Sequence, residues 1–245
     1  MTTGRRHLTR RDMKGDEFVS WVTQATIWVE QNSRTVVIAM GVAAAIVVVA
    51  IGGYTWIRSR QDQAFTRLGE VQKIARMPLA GDPGAGPGAF GAPEERASRV
   101  VEAADRMLQD FPSGTAAGWA RYERAAALLE LRRFDEAAST IDAVMGSSSG
   151  TLLADMSRLL AGRIEEARGN HQRAADLYGT AAASASGGFP PELALFDQAR
   201  CLDTLGKKQD AINVYQKIAD VYPDSPLASK ANQKLQQLRG SAQGL

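Results

Sequence analysis

A chain of 245 residues with 44% hydrophobic and 23% charged side chains is long enough for one or two domains with a real core. Its formal net charge of +2 hides an asymmetry: residues 1–60 hold eight Lys/Arg against four acids, and the rest of the chain holds 21 against 23. The positive charge therefore lies near the N-terminus, which excludes a basic nucleic-acid-binding domain, while one cysteine excludes an intramolecular disulfide and two histidines a multi-histidine metal centre.

Residues 1–35 form a basic tail in which Arg5, Arg6, Arg10, Arg11 and Lys14 precede an amphipathic stretch. The two arginine pairs are not a twin-arginine signal, because no apolar region follows at the right distance. Across 16–31, Phe18, Trp21, Val22, Ala25, Trp28 and Val29 recur at helical spacing. Such a helix lies in a membrane interface or docks on a partner subunit; the pattern leaves both open.

Residues 36–57 contain no charged side chain. At about 1.5 Å per residue this run reaches about 33 Å, enough for a hydrocarbon core of about 30 Å. Arg34 and Arg58 flank it, and Tyr54 and Trp56 sit where an interfacial aromatic belt belongs. A cleaved signal peptide has an apolar region of about 7–15 residues and a small-residue cleavage site. Here the run is longer, starts late and ends in Tyr-Thr-Trp-Ile-Arg, so an uncleaved transmembrane helix is expected. The positive charge close to the span is nearly balanced on its two sides and does not fix orientation. Ala39/Ala43 and Gly41/Ala45 give small-xxx-small spacing that allows two spans to pair as a homo-oligomer.

A membrane-proximal helix is expected over 58–78, then a Gly/Pro-rich loop over 79–93. Residues 94–239 carry a repeat. Aligning Arg132-Arg-Phe-Asp-Glu-Ala137 with Gly169-Asn-His-Gln-Arg-Ala174 and Gly206-Lys-Lys-Gln-Asp-Ala211 puts alanines at 137, 174 and 211. Ile141, Tyr178 and Tyr215 follow one helical turn later. A register of this length marks stacked helix–turn–helix units, here near 118–151, 155–188 and 192–225. The alanine permits close helix packing and the large residue fills the groove to the next unit. Gly169 and Gly206 are expected to end helices in the left-handed conformation. Residues 94–111 look like the second helix of an earlier, degenerate unit whose first helix continues from the span. Ser225-Pro226 opens a capping helix to about 239, followed by a flexible tail over 240–245.

These positions resemble the tetratricopeptide repeat (TPR). The expected fold is all-α: one transmembrane helix, then a TPR-like α-solenoid of about three and a half repeats with a C-terminal capping helix. The basic tail, span, Gly/Pro insertion and Tyr-Pro-Asp-Ser-Pro-Leu-Ala over 222–228 are similar to those of bacterial inner-membrane TPR proteins, nearest the YfgM-like group ancillary to the SecYEG translocon. That resemblance implies a cytoplasmic N-terminus, a periplasmic repeat domain and contacts with the translocon and periplasmic chaperones. The longer N-terminal segment and the Gly-Pro-Gly insertion depart from the group. The alternative is an accessory subunit of a larger inner-membrane complex, respiratory or otherwise.

The TPR resemblance also implies a binding face on the first helix of each unit. Carried onto this sequence it selects Trp119, Tyr122, Ala126 and Leu129, then Met156, Leu159, Arg163 and Glu166, then Leu193, Phe196, Arg200 and Asp203. The Asn/Lys set that clamps a C-terminal carboxylate in some TPR domains is absent. No enzyme is expected, and no catalytic residue, cofactor or metal ligand. Gly81–Gly91 lacks the Gly-Lys-Ser/Thr of a phosphate loop. Asp135-Glu136 and Glu165-Glu166 read as solvated helix faces, His171 as an exposed turn residue and Cys201 as a small core filler. The partners expected are proteins and membrane lipid, not nucleic acid.

Overall fold

The computed structural model describes residues 31–146, 151–184 and 188–243, together with Thr23, Trp28 and Val29. The chain divides into two compact units, residues 1–60 and 61–245. Trp21, the rest of the 16–31 amphipathic stretch and the two C-terminal residues lie outside the described residues; Trp28 and Val29 are helical and exposed.

The helix α1 runs Ser33–Ala75 over 43 residues. Its apolar stretch averages a hydropathy of 2.7 and none of it is buried. It is long and apolar enough to cross a membrane. Near the end of the apolar run the Arg60 guanidinium lies 5.4 Å from the centroid of the Trp56 ring.

The second unit starts within α1, where Ala64, Leu68 and Val71 turn inward at i, i+4, i+7 and are buried. Residues 78–92 then form turns and bends, held by a bridge between Leu79 and Phe90. Among the described residues eight helices follow: α2 (Pro93–Asp110), α3 (Thr115–Glu130), α4 (Phe134–Met145), α5 (Leu152–Ala167), α6 (His171–Ala183), α7 (Pro191–Thr204), α8 (Lys208–Val221) and α9 (Pro226–Gln243). From α2 onward each helix packs on its neighbours in the chain, and α3 also meets α5, as α7 meets α9. That is the contact pattern of a solenoid, in which each repeat touches only the next.

The starts and stops of these helices follow from local chemistry. Proline opens α2, α7 and α9, where its missing N–H costs nothing. Thr151 caps α5 by accepting the Ala154 N–H at 3.3 Å. The three inter-helix turns share one closing motif. Asn170 N donates to Glu165 O and Gly169 N to Glu166 O, while Lys207 N donates to Leu202 O and Gly206 N to Asp203 O. Gly169 (φ +83°) and Gly206 (φ +74°) hold the left-handed position, as expected. The first turn makes the same bonds, Arg133 N to Leu128 O and Arg132 N to Leu129 O, but places Arg132 at φ +58°.

The 37-residue register governs packing as well. Ala137, Ala174 and Ala211 are fully buried, and Ile141, Tyr178 and Tyr215 are at most 1% exposed. Adjacent turns are tied by ion or hydrogen bonds to equivalent positions, Arg168 to Asp135 at 2.9 Å and Lys207 to Gln172 at 2.6 Å. Arg124 links α2, α3 and α4 through Asp105 and Thr140, both at 2.6 Å. The interior separates into two apolar clusters that meet at α5: Leu160, Ala161 and Ile164 enter the first, and Leu159 enters the second. In the capping helix α9, Ala231, Leu235 and Leu238 close the second cluster.

Candidate functional site

The first helices of the three units, α3, α5 and α7, carry the side chains that the repeat pattern singles out. On α3, Trp119 and Tyr122 are half-buried and meet edge to face, with centroids 5.8 Å apart and planes at 74°. Ala126 and Leu129 pack behind them on the first cluster. On α7, Phe196 makes the same kind of contact with Tyr215, at 5.5 Å and 66°. Met156 and Leu193 are partly buried against the second cluster. These aromatic groups thus have one edge in the core and one toward solvent.

Leu159 does not belong to an exposed face. It is 2% exposed and part of the second cluster, because α5 lies between two cores and must bury apolar side chains on both sides. Among the expected contact residues it is the correction.

The polar members form a connected network. Arg200 reaches across one repeat from α7 to grip the Glu166 carboxylate with both terminal nitrogens, Nη2 to Oε2 at 2.9 Å and Nη1 to Oε1. The same Nη2 donates to Asp197 Oδ1 at 3.0 Å, and Asp197 Oδ2 lies 3.9 Å from Arg163. Tyr178 of α6 donates its hydroxyl to Glu166 Oε2 at 3.2 Å. A two-pronged Arg–carboxylate bond fixes orientation as well as distance, so it sets the register between the second and third units. Burial pushes the Glu166 carboxyl up, but the Arg200 hydrogen bond and charge, helped by the Tyr178 hydroxyl, outweigh it and hold the group below the usual carboxylate range. Burial raises the Tyr178 hydroxyl, reinforced by Asp197 and Glu166. Hydrogen bonding to Glu166 leads the forces that raise Arg200. Arg163 keeps 47% of its side chain in solvent and Arg200 keeps 42%. Asp203 is half-exposed near the end of α7.

The expectation that Glu165 and Glu166 are solvated is overturned. Glu165 is 4% exposed and accepts from Asn170 Nδ2 at 2.7 Å and Arg168 Nη1 at 3.1 Å, sealing the α5–α6 turn. Asp135 and Glu136 are exposed, as expected. Sequence reasoning also missed Asp197, which joins Arg163 to Arg200, and Asp155, fully buried and bound to Arg158 at 2.7 Å and Ser184 at 2.8 Å. The available signal was spacing: Asp197–Arg200 and Asp155–Arg158 are both i,i+3 pairs of opposite charge.

His171 departs from its expected exposed position. It is half-buried, and its Nδ1 is enclosed with no hydrogen-bond partner. Cys201 is fully buried, as a core filler should be, and burial is the main cause raising its thiol to about 11. Glu166, His171 and Cys201 bring one ligand-type atom each to within 4.8 Å of one another. At the other end of the chain, Tyr54 and Trp56 are more than 60% exposed on α1, and Arg34 and Arg58 are exposed beside the apolar run.

Stacked helix–turn–helix units of this kind define a class of protein, the α-solenoid, whose repeats serve as scaffolds for protein–protein interaction. The tetratricopeptide-repeat family model matches residues 122–190 and 159–226, so this part of the chain is built of TPR-type repeats. The fold is similar to crystal structures of a Podosopora anserina protein described as a kinesin light chain with nearly identical TPR-like repeats. That protein and a single-substitution variant of it each align with a TM-score of 0.53 at 14% identity, over 76% of this chain and 88% of theirs. A search of curated protein sequences finds no match.

Proposed function

We propose that the chain is a membrane-anchored TPR scaffold that holds other proteins beside a bacterial inner membrane. In this reading residues 36–57 remain as an uncleaved span, the N-terminus is cytoplasmic and the repeats are periplasmic, working in protein translocation or chaperoning. The observation that carries it is the pairing of a wholly uncovered apolar helix with a repeat face on α3, α5 and α7. On those helices Arg163 and Arg200 stay half in solvent, and Trp119, Tyr122 and Phe196 are half-buried. Rigid aromatics with central arginines suit an extended segment or a helix presenting carboxylates, the arginines giving charge-assisted bonds and the rings apolar contact.

The test is photo-crosslinking in native membranes with the reactive group at position 203, half-exposed near the end of α7. Translocon or chaperone components should be captured, and Arg163→Glu should reduce the capture of the same partners by tenfold or so by reversing the sign of the face. Because the new carboxylate would face Asp197, 3.9 Å from Arg163 in the native chain, circular dichroism of the variant checks that the repeats stay folded, and Arg163→Gln, which removes the charge without reversing it, should lose the same partners more weakly. Stoichiometric co-purification with one fixed complex, unaffected by Arg163→Glu, would instead identify an accessory subunit. Topology is read separately by labelling Ser241→Cys, in a Cys201→Ala background, with an impermeant maleimide in spheroplasts. Protection from the reagent would place the repeats on the cytoplasmic side.

A further inference from the structure

We propose that Glu166, His171 and Cys201 form a site for one divalent transition-metal ion, zinc first, that clips the α5–α6 turn to α7. The three groups come from the end of α5, the start of α6 and the last turn of α7, and their ligand atoms lie within 4.8 Å of one another. Carboxylate, imidazole and thiolate are three of zinc's preferred donors, and no hard cation selects this mixture.

An independent observation points to a ligand here. His171 Nδ1 is buried and makes no hydrogen bond. An enclosed imidazole nitrogen without a partner is rare in folded proteins, and a bound ion is one of the few things that explains it. Neither role given to this residue by the repeat, turn former or helix start, calls for an enclosed ring nitrogen.

Geometry permits closure. Zinc bonds of about 2.0–2.3 Å place tetrahedral donors about 3.3–3.8 Å apart. The group must therefore contract by about 1 Å or so, which a carboxylate and an imidazole on helix ends can supply by small side-chain rotations. Glu166 is already engaged by Arg200 at both oxygens and by Tyr178 at Oε2. A carboxylate offers about four lone-pair sites, so Oε1 retains one for a metal. Arg200 and Tyr178 then act as the outer contacts that orient a ligating carboxylate. Charge also closes: Glu166, Asp197 and a Cys201 thiolate against Arg200 and a divalent ion sum to zero, with the half-exposed Arg163 at the rim. The thiol proton leaves to solvent on binding. Three protein ligands leave a fourth position for water. The ion would lock the second unit to the third at the joint that carries the candidate binding face.

The experiment is a titration of the full-length chain in mild detergent with Co2+ as spectroscopic probe, followed by Zn2+ displacement. One equivalent should bind and give the near-ultraviolet band of a cobalt–thiolate bond, lost when Zn2+ is added. Cys201→Ala, a small apolar replacement in a buried slot, should keep the circular dichroism spectrum and abolish the band. His171→Gln should weaken cobalt binding at least tenfold. Zn2+ should raise the melting temperature of the wild type and not of Cys201→Ala. The absence of a thiolate band, or one equivalent bound with unchanged affinity in both variants, would overturn the site.

Discussion

Consider replacing Gly162 with alanine. Gly162 lies in the middle of α5, and a Cβ built there falls 2.4, 2.7 and 2.8 Å from Cε1, Cδ1 and Cζ of Tyr178. Ordinary carbon contacts sit at about 3.5–4.0 Å, so ring and helix must separate by about 1 Å or more. The ring has nowhere to go: Tyr178 is fully buried, and its hydroxyl is held on Glu166 Oε2 at 3.2 Å. Overpacking of this kind costs about 1–3 kcal/mol, and loosening a hydrogen bond to a charged group adds about 1 kcal/mol or more. Helix propensity works the other way, favouring alanine over glycine by about 1 kcal/mol. The net expectation is a loss of about 1–3 kcal/mol, or roughly 2–12 °C in melting temperature for a domain of this size. Thermal and urea unfolding of the full chain in detergent, followed by far-ultraviolet circular dichroism, measures it. The decisive comparison is the Tyr178→Ala background, where the obstructing ring is gone and Gly162→Ala should stabilise by about 0.5–1 kcal/mol. If Gly162→Ala stabilises the unmodified chain too, the close approach of α5 and α6 is not what fixes glycine at this position.

Three further outcomes follow from the same contacts. Arg132 holds a left-handed position filled by glycine in the next two units, so Arg132→Gly relieves about 1–2 kcal/mol of strain. Less about 0.4–1 kcal/mol for the freer unfolded chain, the gain is of order 0.5–1 kcal/mol, visible as a higher urea midpoint. Because the folded Glu166 carboxyl is held below its usual value, its contribution is present above about pH 4.3 and is lost as pH falls through the lower folded value. Glu166→Gln should therefore be less stable near neutrality and flatter between about pH 5 and the acid transition; a parallel acid profile would refute the pairing. The Cys201 thiol, fully buried and raised to about 11, should react with a maleimide at about pH 7.5 in EDTA only as fast as the repeats open. Adding denaturant should speed labelling by orders of magnitude, whereas rapid labelling of the native chain would show that the helices packed on α7 do not close over it.

Much of this architecture is legible in the linear chain because its causes are local. An uncharged run over 36–57 is long and apolar enough to cross a membrane, and no tertiary contact is needed to see that. The alanines at 137, 174 and 211 and the large residues one turn on recur at a fixed interval because every repeat faces the same packing problem. Gly169 and Gly206 announce the turns for the same reason. Arg132 shows the limit of that signal: the alignment placed it in the series, but only the backbone reveals that it adopts the glycine conformation.

The candidate face was legible in part. Helical spacing and resemblance selected α3, α5 and α7, yet they could not say which side chains face solvent. Leu159 and Glu165 turned inward because α5 lies between two cores and has almost no free side. The Glu166–Arg200 bond joins residues 34 apart, and the cluster of Glu166, His171 and Cys201 draws on three helices. Spacing along one helix describes neighbours on that helix, whereas these groups meet only after successive repeats have stacked. A membrane-length apolar helix and a repeated helical hairpin are written in the linear chain, since both follow from hydrophobicity and short-range backbone geometry. Which polar groups the stacked repeats bury, pair and leave in solvent was settled by tertiary packing, because a charge finds its partner across an interface that exists only once the solenoid has formed.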